Sequence, residues 1–228
     1  MNIVKRTYKD QVVEYLYDQI LDGTLMPGDQ VKESSLSDEM GISRAPIREA
    51  LKELMSNGLI EYQPQVGNFI TQLSPKETID AYITRGVLEG FAISTTSELF
   101  SEDDIDELIN LAKRMEHYAD KNNHKMVVKV GDDFHSLLIS KNKNIQLTEY
   151  TRSLSQKLHI LFHRHWSKLY NREEISNRHL RIVESIQSGS PADIEQVIRE
   201  HYTETGTKIA DLQREQLIED EKNTKYKD

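Results

Sequence analysis

The stretch PGDQVKESSLSDEMGISRAPIREALKELMSNGLIEYQPQVGNFI, residues 27–70, decides the fold of the first part of the chain. It begins with a short helical pattern around residues 34–40, which Gly41 stops because glycine readily adopts the left-handed conformation of a helix end. A second helix follows, with Ser43 placed to cap it and Pro46 in its first turn. Two strand-like pieces, LIEYQ and GNFITQL, are joined by PQV and predict a β-hairpin.

A longer helix is predicted before this stretch. Thr7 and Asp10 have the spacing of a capping box, and Gly23 marks the end of the helix. Between them the apolar residues recur at helical spacing; they are Val12, Val13, Leu16, Ile20 and Leu21. The order helix, helix, turn, helix, hairpin predicts a winged helix-turn-helix domain.

The second helix of the turn motif carries two arginines on one face. Arg44 and Arg48 lie four residues apart, so both project from the N-terminal part of this helix. The opposite face is apolar and consists of Ile47, Ala50, Leu51 and Leu54. The N-terminal side chains of a recognition helix enter the major groove, where an arginine can bind guanine through two hydrogen bonds. We therefore expect double-stranded DNA as a partner; the alternative is a surface helix with two solvated arginines.

Composition sets the limits within which this prediction holds. The 228 residues allow one large domain or two ordinary ones. The net charge of −9 means that any DNA contact must come from a few well-placed cations. There is no cysteine, which excludes disulfides and thiolate chemistry and fits a reducing compartment. The first residues lack the apolar core of a signal peptide, and no apolar run is long enough for a membrane helix, so we expect a cytoplasmic protein.

A second domain is predicted to begin at residue 74. Ser74-Pro75-x-Glu77 has the pattern of a helix start, and similar starts recur at Ser101, Asn144 and Ser190. No strand pattern follows as far as about residue 219, so we expect an antiparallel all-α bundle of about six helices. The predicted organisation is a winged helix-turn-helix domain over 1–73, a helical domain over 74–219 and a polar tail over 220–228.

Three histidines are predicted to point into this bundle. In VVKVGDDFHSLLI, residues 127–139, His135 lies at the edge of the inward stripe, with Asp132 on the same flank and Asp133 towards solvent. His179 and His201 lie in register with apolar residues of two later helices. Imidazoles together with a carboxylate are a natural ligand set for a divalent transition metal. The alternative is a group of hydrogen-bonded core histidines.

The remaining histidines give weaker signals. His165 falls on an apolar stripe, whereas His159 and His163 lie off it and are expected on a solvated face. This pair has the spacing to chelate a surface metal. His117 and His124 are expected at the periphery.

The first domain resembles the DNA-binding domain of the GntR superfamily of bacterial regulators. The resemblance rests on the Pro27-Gly28 turn, Glu33, Leu36, the signature SRAPIREAL (43–51), Gly58-Leu59-Ile60 and Gly67. It implies DNA contacts from Arg44, Arg48 and the wing glycine Gly67. Members often have a third DNA-contacting arginine where this chain has Ser34, so either the affinity for the DNA backbone is lower here or the backbone contacts shift to Lys5, Arg6, Lys32 and Lys52. The candidate DNA-binding residues are Ser43, Arg44, Pro46, Arg48, Lys52 and Gly67.

Residues 76–212 resemble the C-terminal ligand-binding domain of the FadR subfamily, through RGVLEGFAI (85–93), DFHSLLISKNKNIQL (133–147) and HLRIVESIQSGSPADIEQVIREH (179–201). Many members bind a divalent metal through an aspartate and three histidines, which map to His135, His179 and His201. The aspartate position is Gly131 here. Either Asp132 substitutes for it, water or ligand fills its place, or the pocket holds no metal.

The same resemblance implies that Arg85 and Glu89 bind an effector. Arg85 would hold its carboxylate; the alternative is an ion pair between Arg85 and Glu89, which are four residues apart. We expect a homodimeric, ligand-responsive transcription factor that binds a palindromic operator and a small organic acid, with Zn, Ni or Mn as cofactor. The alternatives are a metal-independent regulator or a metal-dependent hydrolase. Because HExxH is absent and no general base is evident, we do not expect an enzyme.

Overall fold

The computed structural model describes the backbone of residues 6–225 and all side chains within that range except those of 160, 163, 166, 167, 220, 221 and 223–225. Contacts divide the chain into two compact units, the first ending at Leu73 and the second beginning at Ser74. Each unit has its own buried apolar core. In the described part of the chain, no helix is long and apolar enough to cross a membrane.

The first unit is a winged helix-turn-helix fold, as the sequence predicts. Its elements are α1 (Tyr8–Leu21), β1 (Gln30–Val31), α2 (Glu33–Met40), α3 (Arg44–Ser56), β2 (Ile60–Gln63) and β3 (Gly67–Ile70). The three strands form an antiparallel sheet in the order β1-β3-β2. The hairpin β2–β3 is confirmed. Strand β1 was not predicted, because two residues are too few to show the alternation that marks a strand.

Local signals explain most of these helix ends. The capping box at Thr7 is present: the Thr7 Oγ1 accepts from the Asp10 N–H at 3.1 Å, and the Thr7 N–H donates to Asp10 Oδ2 at 3.0 Å. Gly41 ends α2 with φ at +65°, a left-handed conformation that favours glycine. The prediction for Ser43 is wrong in part. It occupies the N-cap position of α3, but within the described residues its side chain makes no capping hydrogen bond.

The second unit contains six α-helices within its described residues, as predicted. They are α4 (Pro75–Ser94), α5 (Glu102–Asp120), α6 (His124–Ile139), α7 (Ile145–Leu169), α8 (Arg172–Ser188) and α9 (Pro191–Lys225), with a 3₁₀ turn at Ser97–Leu99. The predicted starts at Ser74, Ser101 and Asn144 are confirmed by side-chain caps. Helix α9 continues to Lys225, so the separate polar tail expected from residue 220 is wrong as far as the structure describes it.

Helices α4 and α9 pack very closely, and glycines make this possible. A Cβ on Gly206 would lie 2.6 Å from the Tyr82 Cβ, and one on Gly86 would lie 3.2 Å from the Arg199 Cα. The two helices run antiparallel, since Thr78 Oγ1 near the start of α4 donates to Gln213 Oε1 far along α9 at 2.9 Å. This close approach brings α4 against the face of α9 that carries Arg199 and Tyr202.

Candidate functional site

Helix α3 presents its cations to solvent, as predicted. Arg44, Arg48 and Lys52 are exposed, Ser43 is exposed and Pro46 is partly buried. The opposite face is buried and consists of Ile47, Ala50, Leu51 and Leu54. One contact was not foreseen: the Arg48 Nε donates to Glu33 Oε2 of α2 at 2.7 Å, with 59% of the arginine side chain exposed. The helix therefore offers a row of cations, of which Arg48 is anchored by a neighbouring acid.

Gly67 in the wing has a structural role of its own. Its φ of +134° is a conformation that side chains rarely adopt, and an added Cβ would lie 2.9 Å from Gln30 Nε2. That amide nitrogen donates to the Val66 backbone carbonyl at 2.8 Å, which ties β1 to the turn of the hairpin. The glycine is therefore required by the fold of the wing, independently of any contact with DNA.

In the second unit, the structure brings together the three histidines singled out in the sequence. His135 on α6, His179 on α8 and His201 on α9 each offer a ring nitrogen, and these atoms lie within 4.8 Å of one another. Their ring centroids are 5.6 Å (135–179), 5.4 Å (135–201) and 4.9 Å (179–201) apart. Three imidazoles at such distances form a suitable donor set for one divalent transition metal.

Hydrogen bonds orient two of the three rings. The His179 Nδ1 donates to the Ile175 backbone carbonyl at 2.6 Å, which leaves the Nε2 lone pair free. The His135 Nδ1 lies 3.1 Å from Glu89 Oε2 and 2.8 Å from the Tyr202 hydroxyl, which itself donates to Glu89 Oε2 at 2.5 Å. Because the phenol proton is directed to the carboxylate, the Nδ1 of His135 carries its own proton and its Nε2 is free. Backbone carbonyls and carboxylates support metal-ligating histidines in this way.

The protonation states also suit ligation. Burial lowers the pKa of His135, although Glu89 opposes this effect. Burial, followed by the charge of His135, holds the pKa of His179 well below 6.5. Burial, followed by the charge of Arg178, does the same for the pKa of His201. All three rings are therefore neutral near pH 7, and a neutral imidazole is the form that binds a metal.

Arg85 and Glu89 form a buried ion pair, the alternative considered from the sequence. The Arg85 Nε donates to Glu89 Oε1 at 2.7 Å, and the side chains are only 5% and 0% exposed. Burial raises the pKa of the Glu89 carboxyl, but Arg85 and His135 outweigh this and lower the pKa to about 2. Glu89 is therefore an anion that neutralises Arg85 and orients His135.

Asp132 does not join the three histidines. Its carboxylate pairs with the Nε2 of His159 on α7. His159 is 9% exposed, so the expectation that it lies on a solvated face is wrong. Helix α7 packs against α4, α6 and α9, so residues beside its apolar stripe are covered as well. Asp133 is exposed as predicted.

Two further histidines, His163 and His165, lie on helix α7. His165 is buried, as its apolar stripe indicates, and burial followed by Arg164 and Lys168 lowers its pKa to about 4. The His163 side chain lies outside the described residues.

A cavity of about 60 Å³ adjoins the three histidines. Gly131 lies in its wall, and an added Cβ there would meet only the Met115 Sδ, at an ordinary 3.6 Å. Packing alone therefore does not require glycine at this position.

Two residues of the cavity wall were not identified from the sequence. Tyr202 bridges Glu89 and His135, and burial keeps its pKa well above 10 so that its hydroxyl remains a donor. Arg178 on α8 donates through Nη2 to the His201 carbonyl at 2.5 Å and to Thr205 Oγ1 at 2.9 Å. Both residues directly adjoin a histidine of the group in the sequence, which was the signal that could have identified them. The direction of their side chains depends on how the helices pack.

Comparison with known protein families divides the chain in the same way. Residues 8–70 match the family model described as bacterial regulatory proteins, gntR family. Residues 80–204 match the model described as the FCD domain. The second match alone spans more than half of the chain.

Similar proteins of comparable length are regulators. The chain is 28% identical over 200 residues to the Bacillus subtilis (strain 168) "Uncharacterized HTH-type transcriptional regulator YdhC", covering 86% of this chain and 88% of that protein. It is 24% identical to the Paenarthrobacter nicotinovorans "Probable D-xylose utilization operon transcriptional repressor", covering 87% of each. The solved structure of E. coli McbR/YncC has a TM-score of 0.69 at 19% identity, covering 93% of this chain and 99% of that one, and supports the fold.

Proposed function

Because this chain belongs to the gntR family of bacterial regulatory proteins and carries an FCD domain, we propose that it is a homodimeric regulator. In this proposal it binds a palindromic operator and releases or retains it in response to a small organic acid held in the helical unit. A bound divalent metal assists the binding of that acid. A ligand changes DNA affinity only if it binds the DNA-competent and DNA-incompetent states with different affinities.

The DNA half of the proposal rests on helix α3. Arg44 and Arg48 would contact base edges, Ser43, Pro46 and Lys52 would contact the backbone beside them, and Gly67 would lie at the tip of the wing. Each chain has one such helix and reads one half-site. Two chains related by a two-fold axis would therefore require a palindrome. Such a regulator acts where the chromosome is, in the cytoplasm.

The part of the proposal that concerns the metal rests on one observation. Three neutral imidazoles converge, and two of them are oriented by hydrogen bonds to Glu89 and to the Ile175 carbonyl. His135, His179 and His201 would hold Zn, Ni or Mn. When bound, the metal supplies a fixed positive charge that attracts the effector's anionic group. Asp132 remains a candidate fourth ligand, and it would first have to leave His159.

Metal analysis of protein purified without an affinity tag tests this half. We expect about one metal per chain after loading with Zn²⁺, and a rise in melting temperature, because a ligand that binds the folded state stabilises it. The variant His179→Ala should lose both, and the exposed His117→Ala should lose neither. Loss of zinc in both variants, or in neither, would remove the support for the proposed site.

The hydrolase alternative is disfavoured by the electrostatics of the site. Many metal hydrolases use a carboxylate as the general base that takes a proton from water. The buried carboxylate nearest the histidines, Glu89, is engaged by Arg85, His135 and Tyr202, and its pKa is about 2. A group this acidic is a poor general base near neutral pH. A regulator that uses the same pocket without a metal remains the second candidate, since the Nδ1 hydrogen bonds that orient His135 and His179 form without one.

A further inference from the structure

Two arginines line the cavity, and their charges are compensated differently. Arg85 is neutralised by the buried Glu89 at 2.7 Å. The carboxylate paired with Arg178 is Glu204, whose Oε2 lies 3.5 Å from the Arg178 Nε and whose side chain is 45% exposed. Water therefore screens Glu204, whereas only 10% of the Arg178 side chain is exposed. The Arg178 Nη2 bonds to neutral oxygens and its guanidinium stacks 3.9 Å from the Tyr170 ring. The positive charge of Arg178 at the cavity wall is therefore only partly neutralised.

The same wall carries unpartnered polar atoms. Among the described residues, the Arg178 Nε, the His159 Nδ1 and the His201 Nδ1 are buried without a hydrogen-bond partner. All three residues line the one cavity beside the histidine group. Buried polar atoms are rarely left unpaired in folded proteins, and each one calls for an explanation. Three around a single cavity indicate that a polar ligand completes it.

The other side chains of the cavity wall and the size of the cavity indicate which class of ligand fits. The wall of the cavity also contains apolar side chains, namely Met115, Val127, Val128, Phe162 and Ile175. The cavity is small, with a volume of about 60 Å³. A small cavity favours a small ligand, and the apolar part of its wall favours one with an apolar end, which inorganic phosphate lacks.

From this geometry we infer that Arg178 binds the carboxylate of a short-chain monocarboxylate, with its alkyl end against the apolar wall. Arg85 then supports the site through Glu89 rather than contacting the ligand. This inference rests on the proposed function, since it takes the cavity as the effector site, and it names the ligand class and the residue that recognises it. The guanidinium and the carboxylate would form charge-assisted hydrogen bonds.

Acetate and acetamide provide the test, because they have the same size and differ in charge. Isothermal titration of the full chain, zinc-loaded and metal-free, should show saturable binding of acetate and none of acetamide. Arg178→Gln should weaken acetate binding about tenfold or more, since hydrogen bonds to charged groups are the strong ones. Arg178→Lys, which keeps the charge, should retain part of the affinity. The control is Arg181→Gln on the same helix, whose side chain is 61% exposed and pairs with Glu200; it should bind acetate as the wild type does.

Several results would overturn the inference. These are undiminished acetate binding by Arg178→Gln, equal binding of acetamide, tighter binding of inorganic phosphate than of acetate, or no acetate binding by the wild type. Circular dichroism shows whether the Arg178→Gln variant is folded. If it is not, acetate binding by Arg178→Lys is compared with that of the wild type instead. If zinc fails to bind but the acetate results hold in metal-free protein, the metal half of the proposed function fails and the role of Arg178 stands. If zinc binds normally and Arg178→Gln changes nothing, only the inference fails.

Discussion

The Arg48–Glu33 and Arg85–Glu89 pairs have the same distance between their charged atoms, but the first pair is exposed and the second is buried. Both Nε–Oε distances are 2.7 Å. Arg48 is 59% exposed on the recognition helix, whereas Arg85 and Glu89 are 5% and 0% exposed. In water such a pair adds little stability, because solvent screens it and two flexible side chains must be ordered. In the interior, removal of one partner leaves the other charged and without water. The environment, not the distance, therefore determines what each pair does.

The largest expected effect is on the buried pair. Glu89→Ala should reduce the free energy of unfolding of the helical unit by about 3–5 kcal/mol, because Arg85 would be left buried and unpaired. Circular dichroism follows the loss of this unit's helices during chemical denaturation. The control is Asp80→Ala, which breaks an exposed pair with Lys76 at the same spacing on the same helix. A similar loss in both variants would mean that burial does not distinguish the two kinds of pair.

The second prediction concerns pH. The folded-state pKa values of His135, His179 and His201 are lowered, so between those values and 6.5 the unfolded chain binds more protons than the folded one. The stability from neutral histidines is complete above pH 6.5 and declines as pH falls, by up to about 1.4 kcal/mol per pH unit for each group. Glu89, lowered from 4.5 to about 2, contributes a further decline below pH 4.5.

Denaturation of chelator-treated protein from pH 7.5 to 5 measures this dependence. His179→Gln removes one of the three groups, so its stability should fall less steeply with decreasing pH. The exposed His117→Gln should follow the wild type. A wild-type stability that is constant from pH 6.5 to 5 would show that the three rings are not buried as neutral groups.

The third prediction concerns the exposed pair and has the smallest effect. Arg48→Ala should weaken operator binding by about 1–3 kcal/mol and relax the preference at one base pair of each half-site, because a base contact is lost. Lys52→Ala is expected to remove a phosphate contact. It should weaken binding to the operator and to random duplex alike, and it should reduce the slope of log affinity against log salt concentration by about one. Titrations at several salt concentrations separate the two. If Arg48→Ala binds both duplexes as the wild type does, α3 does not read bases.

Most of the fold could be predicted because its signals are local. The capping boxes at Thr7, Ser74 and Ser101 and the left-handed Gly41 lie within a few residues of the helix ends that they determine. The two features that were not predicted, strand β1 and the C-terminal end of α9, also have local causes. Strand β1 is only two residues long, and helix α9 continues through a polar sequence to Lys225.

For the site, helical periodicity sufficed to predict that His135, His179 and His201 point inward and that Arg44 and Arg48 point outward, because a residue's angle on its own helix follows from its position in the chain. Tertiary structure alone decided which groups pair. Asp132 meets His159, and His135 meets Glu89, 46 residues away, across helices whose contacts no spacing reveals. Glycines at the α4–α9 contact bring the helix that carries Arg85 and Glu89 against the helix that carries His201 and Tyr202. Burial then favours the neutral forms of His135, His179 and His201, whereas Glu89 stays charged because Arg85 and His135 lie beside it, since charges are stable away from water only when they are paired.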